Sequence, residues 1–226
     1  MELWHGSEVV VEHPSLDKCR QFNDYGRGFY CTPHEEMAME WACRIESDGI
    51  ANRYELDLDG LAILDLESGE FSILNWLAIL ANREFNVSTP AAREGLRYLL
   101  DNCLIDTSPY DVIRGYRADD SYFSFARQFV NGMISLRQLQ RIMLLGDLGI
   151  QYALMSERAF SAIRFRDWKQ ASGAEFYPKR FEREQNARRK YLDTVNGFDT
   201  EGVDIRDLMA GRVDLNDPRV NGLWAE

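Results

Sequence analysis

The sequence predicts an α+β fold with antiparallel sheets, and three observations lead there. Strand-like and helix-like segments mix along the chain without the regular β-α-β alternation of a parallel sheet. The Gly-Arg-Gly at 26–28 is not followed by the last glycine of a Gly-x-Gly-x-x-Gly fingerprint, and no Walker lysine motif occurs, which disfavours a doubly wound nucleotide-binding domain. The 226 residues, 45% of them hydrophobic, are enough for one compact domain and an extension.

Residues 2–5 read as a short strand, and Pro14 with Asp17 and Lys18 marks a loop after it. The stretch "GFYCT", introduced by Gly26 and Gly28, is aromatic and β-branched and reads as a second strand. Thr32 as N-cap, Pro33 at the first helical position and Glu35 three residues after the cap predict a helix with a capping box. Ala38, Trp41, Ala42 and Ile45 would form its apolar face. Residues 54–58 and 61–66 flank an Asp59-Gly60 turn, the pattern of a hairpin. Residues 71–84 and 90–103 read as helices, the second capped by Ser88 or Thr89, and the apolar run 71–81 as core. Strand character returns at 110–116, then helical periodicity over 122–130 and 136–145. Residues 149–156 and 159–165 read as two late strands, or one strand and its continuation. From Trp168 the chain is polar and charged, with one helix around 179–195. This organisation gives a domain over 1–166 and a charged, partly helical C-terminal extension over 167–226, packed on or beside it.

Bulk properties exclude several classes. No window approaches the ~18 uninterrupted apolar residues that cross a bilayer, and Leu3-Trp4 is too short for the core of a signal peptide, so a cytoplasmic protein with no membrane partner is expected. Cys19, Cys31, Cys43 and Cys103 lack CxxC spacing and read as reduced thiols. The three histidines form no short ligand pattern, so no metal is assigned. A net charge of −11 argues against nucleic-acid binding by the whole surface. Residues 164–190 nevertheless hold nine basic and four acidic side chains. That segment is either a solvated basic helix against an acidic body or a face for a polyanion, a weaker hypothesis that steep salt dependence would reveal.

His5-Gly6-Ser7, then Gly26-Arg27-Gly28-Phe29-Tyr30, then Gln151-Tyr152-Ala153-Leu154 follow one another in separate strand segments. In order and placement they resemble the ADP-ribosyltransferase superfamily, particularly its diphtheria-toxin and poly(ADP-ribose) polymerase branch. That branch has His-Gly-Ser/Thr in a first strand, Gly-x-Gly-φ-Tyr-Phe in a second and a glutamate in a late strand. The chain also looks like a bacterial family of uncharacterised proteins with a late glutamine and a middle stretch matched by Tyr110-Asp111, Ile113, Gly115 and Ala118-Asp119-Asp120. The resemblance covers residues 1 to about 166. Trp41, eleven residues after Tyr30, matches a second aromatic that many relatives place on the following helix.

The resemblance implies two small antiparallel sheets forming an NAD cleft, surrounded by helices, and NAD as the substrate whose ADP-ribose is transferred. His5 would hydrogen-bond a ribose hydroxyl, the Gly6 backbone would pair with the nicotinamide carboxamide, and Ser7 would add a hydroxyl contact. Tyr30 and Trp41 would hold the ring. His5, Tyr30 and Gln151 would be the catalytic set. Gln151 stands where the glutamate is usual; it can accept a hydrogen bond from a ribose hydroxyl but carries no charge for an oxocarbenium and cannot act as a base. Mono-ADP-ribosylation or slow NAD hydrolysis is therefore expected rather than polymer synthesis. Asp119, Asp120, Glu157 or the target itself remain alternatives for a base, and the acidic pair also suits a helix start. The implied setting is a bacterial toxin–antitoxin or phage-defence system, with a protein or nucleic-acid target and a small antitoxin partner. The competing reading is a module that keeps this fold and binds NAD or another nucleotide without chemistry.

Overall fold

The computed structural model describes residues 1–84, 87–118, 120–145, 149–195, 199 and 201–221. It is α+β, and the chain divides into two compact units built from interleaved segments. The first comprises Met1–Asp65, Thr107–Arg117 and Leu148–Gln185; the second comprises Leu66–Asp106, Ala118–Asp147 and Asn186–Glu226.

The first unit holds both sheets. Strands β1 (Glu2–Ser7), β3 (Gly49–Leu56) and β7 (Ile163–Ala171) form a three-stranded antiparallel sheet in the order β1-β3-β7. Strands β2 (Phe29–Cys31), β4 (Ile63–Asp65), β5 (Val112–Tyr116) and β6 (Ile150–Leu154) form the second, in the order β2-β6-β5-β4. The expected antiparallel pairing holds except between β4 and β5, which run parallel. A bridge joins the sheets: Trp4 N donates to Thr32 O at 2.7 Å and Thr32 N to Trp4 O at 2.8 Å.

The period-two alternation of strands sorts the side chains into layers. Leu3, Tyr54, Leu56 and Ile163 from one sheet meet Phe29, Cys31, Val112 and Leu154 from the other in a common apolar core. The opposite face of the first sheet takes helix α1 (Glu35–Ala42) and the start of α7 (Gly173–Val195), with Trp4, Ala38, Ala42, Ala51, Ala171 and Phe176 packed together. Gly6 lies under α1, where a Cβ would stand 2.1 Å from the Ala38 carbonyl oxygen and 2.8 Å from the Ala42 nitrogen.

Several expectations about local structure are corrected. Thr32 is not the N-cap of α1: its backbone is committed to Trp4, so the helix begins at Glu35 with His34 at the cap position and no side-chain cap. The helix then ends at Ala42, so Ile45 is 68% exposed, and the buried positions are Met37, Ala38, Met39, Glu40 and Ala42, with Trp41 only half-buried. The segments around Asp59-Gly60 do not form a hairpin, because β3 joins one sheet and β4 the other. Residues 157–162 form a helix, α6 (Glu157–Ala162), not a strand: Ser156 Oγ caps it by accepting from Ala159 N at 3.2 Å. Strand β7 starts only after it and passes through residues 166 and 167, where the sequence suggests a domain boundary.

The second unit is helical in its described elements: α2 (Ile73–Glu84), α3 (Pro90–Cys103), α4 (Asp120–Val130), α5 (Leu136–Leu145), α8 (Ile205–Met209) and α9 (Pro218–Asn221). Thr89 caps α3 by accepting from Ala92 N at 3.1 Å. The run expected as core is core, with Trp76, Leu77 and Leu80 almost fully buried. Arg137 and Ser135 hold Asp199, and the guanidinium keeps its carboxyl down at about 2. Among the described residues no helix is long and apolar enough to cross a membrane.

Candidate functional site

Leu3, His5 and Ser7 alternate on the face of β1 turned toward the second sheet, while Trp4 and Gly6 face α1. The last turn of α1 and the 8–23 loop close over this end of β1. The result is a cleft of about 510 Å³, lined by His5, Gly6 and Ser7 of β1, Tyr30 of β2, Trp41 of α1 and residues of that loop. This volume falls in the ~300–1,000 Å³ range usual for small-molecule sites. Gln151 and Glu157 do not line it, and Asp119 and the side chain of Asp120 lie outside the described residues.

His5 is in a defined state. Its Nδ1 sits 2.7 Å from the Tyr30 carbonyl oxygen, which only accepts, so Nδ1 carries the proton. Burial lowers its pKa below 6.5, opposed by that backbone bond, so the ring is neutral and Nε2 is a bare acceptor. An acceptor suits a ribose hydroxyl. Because the folded pKa lies below the unfolded one, the unfolded chain binds more protons in the interval between them. Stability is therefore expected to be fully present above about pH 6.5 and to fall as the pH drops through that interval. Melting followed from pH 8 to pH 5 should show this loss, and His5→Gln should lack it.

The backbone of Gly6 supplies a matching edge. Trp4 uses both its N–H and its C=O on Thr32, so these groups point away from β3. Two residues on, Gly6 presents its own N–H and C=O along the same edge, now at the wall of the cleft. One donor and one acceptor side by side are what a primary carboxamide pairs with. The Ser7 hydroxyl donates to Val9 O at 2.6 Å and accepts from Asn52 Nδ2 at 3.0 Å, leaving it an acceptor toward a ligand.

Tyr30 lines the cleft with its hydroxyl already engaged, and its ring stacks on that of Tyr25 with centroids 6.3 Å apart. The hydroxyl donates to Gly26 O at 2.8 Å and accepts from Tyr25 N at 2.9 Å, closing a turn in which Gly26 has φ 103°. That left-handed value explains a glycine there. Trp41 carries the Arg117 guanidinium over its ring at 4.2 Å.

Gln151 occupies a different place. On β6 it pairs with Gly115, and by alternation it shares with Ala153 and Tyr30 the sheet face turned away from the inter-sheet core. It is 2% exposed, and its Nε2 donates to Asp24 Oδ2 at 2.7 Å and to Tyr116 O at 3.3 Å. Tyr30 and Gln151 thus grip the same turn, Asp24–Gly26, from two sides.

Sequence reasoning missed the support and the charge of the site. Fully buried Asn52 accepts from Val11 N at 2.8 Å and donates to Ser7, fixing the loop that walls the cleft. His13, Lys18, Arg20 and Arg44 also line it, and Arg44 is paired with Glu8 at 2.6 Å. Lys18 and Arg20 make no ion pair among the described residues, in a chain of net charge −11. Residues 8–23 hold three acidic and two basic side chains, so local charge along the chain showed no sign of this. The basic 164–190 segment becomes β7 and α7, where Arg166, Lys169, Lys179, Arg180 and Arg183 pair with Glu55, Glu35, Glu175, Glu184 and Glu40.

A two-sheet α+β unit with a cation-rimmed cleft at the end of its first strand is the class that fold and site define. Residues 1–165 match the family model described as "Protein of unknown function (DUF3990)", and the chain belongs to that family. No curated protein and no solved structure matches.

Proposed function

We propose that this protein binds NAD in the cleft and transfers its ADP-ribose to a macromolecular target, releasing nicotinamide. The observation that carries the reading is the convergence of His5, Gly6, Ser7, Tyr30 and Trp41, from separate segments, on one cleft. The His5 Nε2 accepts from a ribose hydroxyl, the Gly6 edge and the Ser7 hydroxyl take the carboxamide, and the ring of Tyr30 packs on the pyridinium. Lys18 and Arg20 at the same cleft suit the pyrophosphate. The resemblance adds a bacterial toxin–antitoxin or defence setting with a small antitoxin as partner. Labelled NAD incubated with protein and nucleic-acid targets is expected to show transfer or nicotinamide release, lost by about 100-fold in His5→Ala and Tyr30→Ala proteins that still melt cooperatively. Absence of NAD binding by calorimetry in the unaltered protein ends this reading.

One observation favours a second reading, a nucleotide-binding module without chemistry: the Gln151 amide is uncharged and already engaged by Asp24 and Tyr116. NAD bound tightly but never consumed is its expected signature.

A further inference from the structure

We infer that Asn52 is a specificity-determining residue: by fixing the Ser7 hydroxyl as an acceptor, it makes the cleft take a pyridine carboxamide and refuse the corresponding carboxylate. The inference rests on the reading that a nicotinamide dinucleotide binds there, and it concerns binding, so it holds whether or not the ligand is consumed.

Asn52 stands on β3 opposite His5, fully buried, and one orientation of its amide fits the surroundings. The Val11 N–H only donates, so Oδ1 faces it at 2.8 Å; the carbonyls of His5 and Val9 only accept, so Nδ2 faces them, each at 3.3 Å. The same Nδ2 lies 3.0 Å from Ser7 Oγ. An N–H aimed at that oxygen keeps the hydroxyl proton away from Asn52. Val9 O, held by the same amide, receives the proton at 2.6 Å. A serine hydroxyl has one proton and two lone pairs. Here the proton is committed to Val9 and one lone pair to Asn52, and a lone pair is what remains for the cleft that Ser7 lines. Asn52 acts through Ser7 and is a positioning residue.

With the free N–H and C=O of Gly6 beside it, this wall presents two acceptors and one donor. A carboxamide answers with two N–H groups and one C=O. A carboxylate has no proton to give: it sets its oxygens against the Ser7 lone pair and the Gly6 carbonyl and leaves both without a bond. For Ser7 to donate to it, the hydroxyl must first break from Val9. Long-range charge acts in the opposite direction, because Lys18 and Arg20 line the same cleft without an ion pair among the described residues and attract an additional negative charge. Both cations are exposed and screened by solvent, whereas the wall acts at hydrogen-bond distance, so the wall decides. The two effects predict opposite preferences, which makes the choice measurable.

Calorimetry on the full-length protein compares NAD with nicotinic acid adenine dinucleotide, which carries a carboxylate in place of the carboxamide. The unaltered protein is expected to bind NAD about 100-fold or more tightly than the acid. Ser7→Ala removes the acceptor and keeps the Asn52 bonds to His5, Val9 and Val11, so it is expected to melt as before and to narrow the preference to about tenfold or less. Asn52→Ala frees the hydroxyl to turn and is expected to narrow the preference in the same way. A purely structural role for Asn52 would weaken both dinucleotides alike and leave their ratio unchanged. If Asn52→Ala melts below the assay temperature, Asn52→Ser, which keeps a hydroxyl for the Val11 N–H, replaces it. An unaltered protein that prefers NAD by less than about tenfold, or that binds the acid more tightly, overturns the inference and leaves the NAD reading standing. So does a full preference retained in Ser7→Ala or in a folded Asn52 variant. An unaltered protein that binds neither dinucleotide ends the NAD reading and the inference with it.

Discussion

Gly6→Ala is expected to lower the stability of the first unit by about 3 kcal/mol or more, visible as a melting midpoint reduced by roughly 6–12 °C. The added Cβ would lie 2.1 Å from the Ala38 carbonyl oxygen and 2.8 Å from the Ala42 nitrogen. Both are main-chain atoms of α1, so no side-chain rotation relieves the overlap, and either the helix or β1 must shift. Overpacking costs about 1–3 kcal/mol where side chains yield, and this neighbour is stiffer. Against a typical total of about 5–15 kcal/mol, that is a large fraction. Thermal and urea melting read by near-ultraviolet signals of Trp4 and Trp41 would measure it. An unchanged midpoint would mean that α1 is not seated on β1. The result bears on function too: helix packing alone demands a glycine at 6, so the His-Gly-Ser glycine has a structural reason whether or not a carboxamide binds beside it.

Arg183→Met is expected to cost about 3 kcal/mol. Glu40 projects from α1 with a side chain 4% exposed, and Arg183 of α7 meets it through Nε to Oε2 at 3.2 Å and Nη2 to Oε1 at 2.9 Å. Removing the guanidinium leaves a buried carboxylate without its counter-charge, which usually costs about 3–5 kcal/mol; partial solvent access around Arg183 sets the lower end. Glu40→Leu combined with Arg183→Met removes both charges, and the double variant should return to within about 1 kcal/mol of the original stability. A double-mutant cycle in urea checks both numbers. Equal losses in the single and double variants would show that Arg183 stabilises through its aliphatic packing and not its charge.

What the sequence revealed and what it concealed divide along the range of the interactions involved. Strand and helix character at β1, β2, α2, α3 and β5 follows from patterns a few residues long, and Thr89 with Pro90 marks the start of α3 correctly. Thr32-Pro33-Glu35 carries an equally clear helix start, but Thr32 is claimed by Trp4, twenty-eight positions earlier, and the long-range bridge wins. Alternation around Asp59-Gly60 reads correctly as strands, yet nothing local says that β3 and β4 belong to different sheets. The Ser156 cap was legible and overlooked, because β-branched and aromatic residues dominate the 159–165 stretch. In the candidate site, the glycine-flanked His5 and Tyr30 motifs stood out, and they line one cleft with Trp41. The partner of Gln151 was not legible, since Asp24 lies 127 positions away and only the tertiary fold brings an amide to its carboxylate.

The interleaving of the two units has a consequence during synthesis. As the chain leaves the ribosome from its N-terminus, β1 and β3 emerge early, but β6, which separates β2 from β5, appears only at Ile150–Leu154, and β7 ends at Ala171. Neither sheet can assemble until most of the 226 residues have been translated, and the second unit's helical segments from Leu66 to Asp106 emerge while the strands wait for their partners. Nascent chains stalled before residue 150 should thus expose the edges of β2 and β3 to protease, and protection should arrive late and abruptly, with β6 and β7.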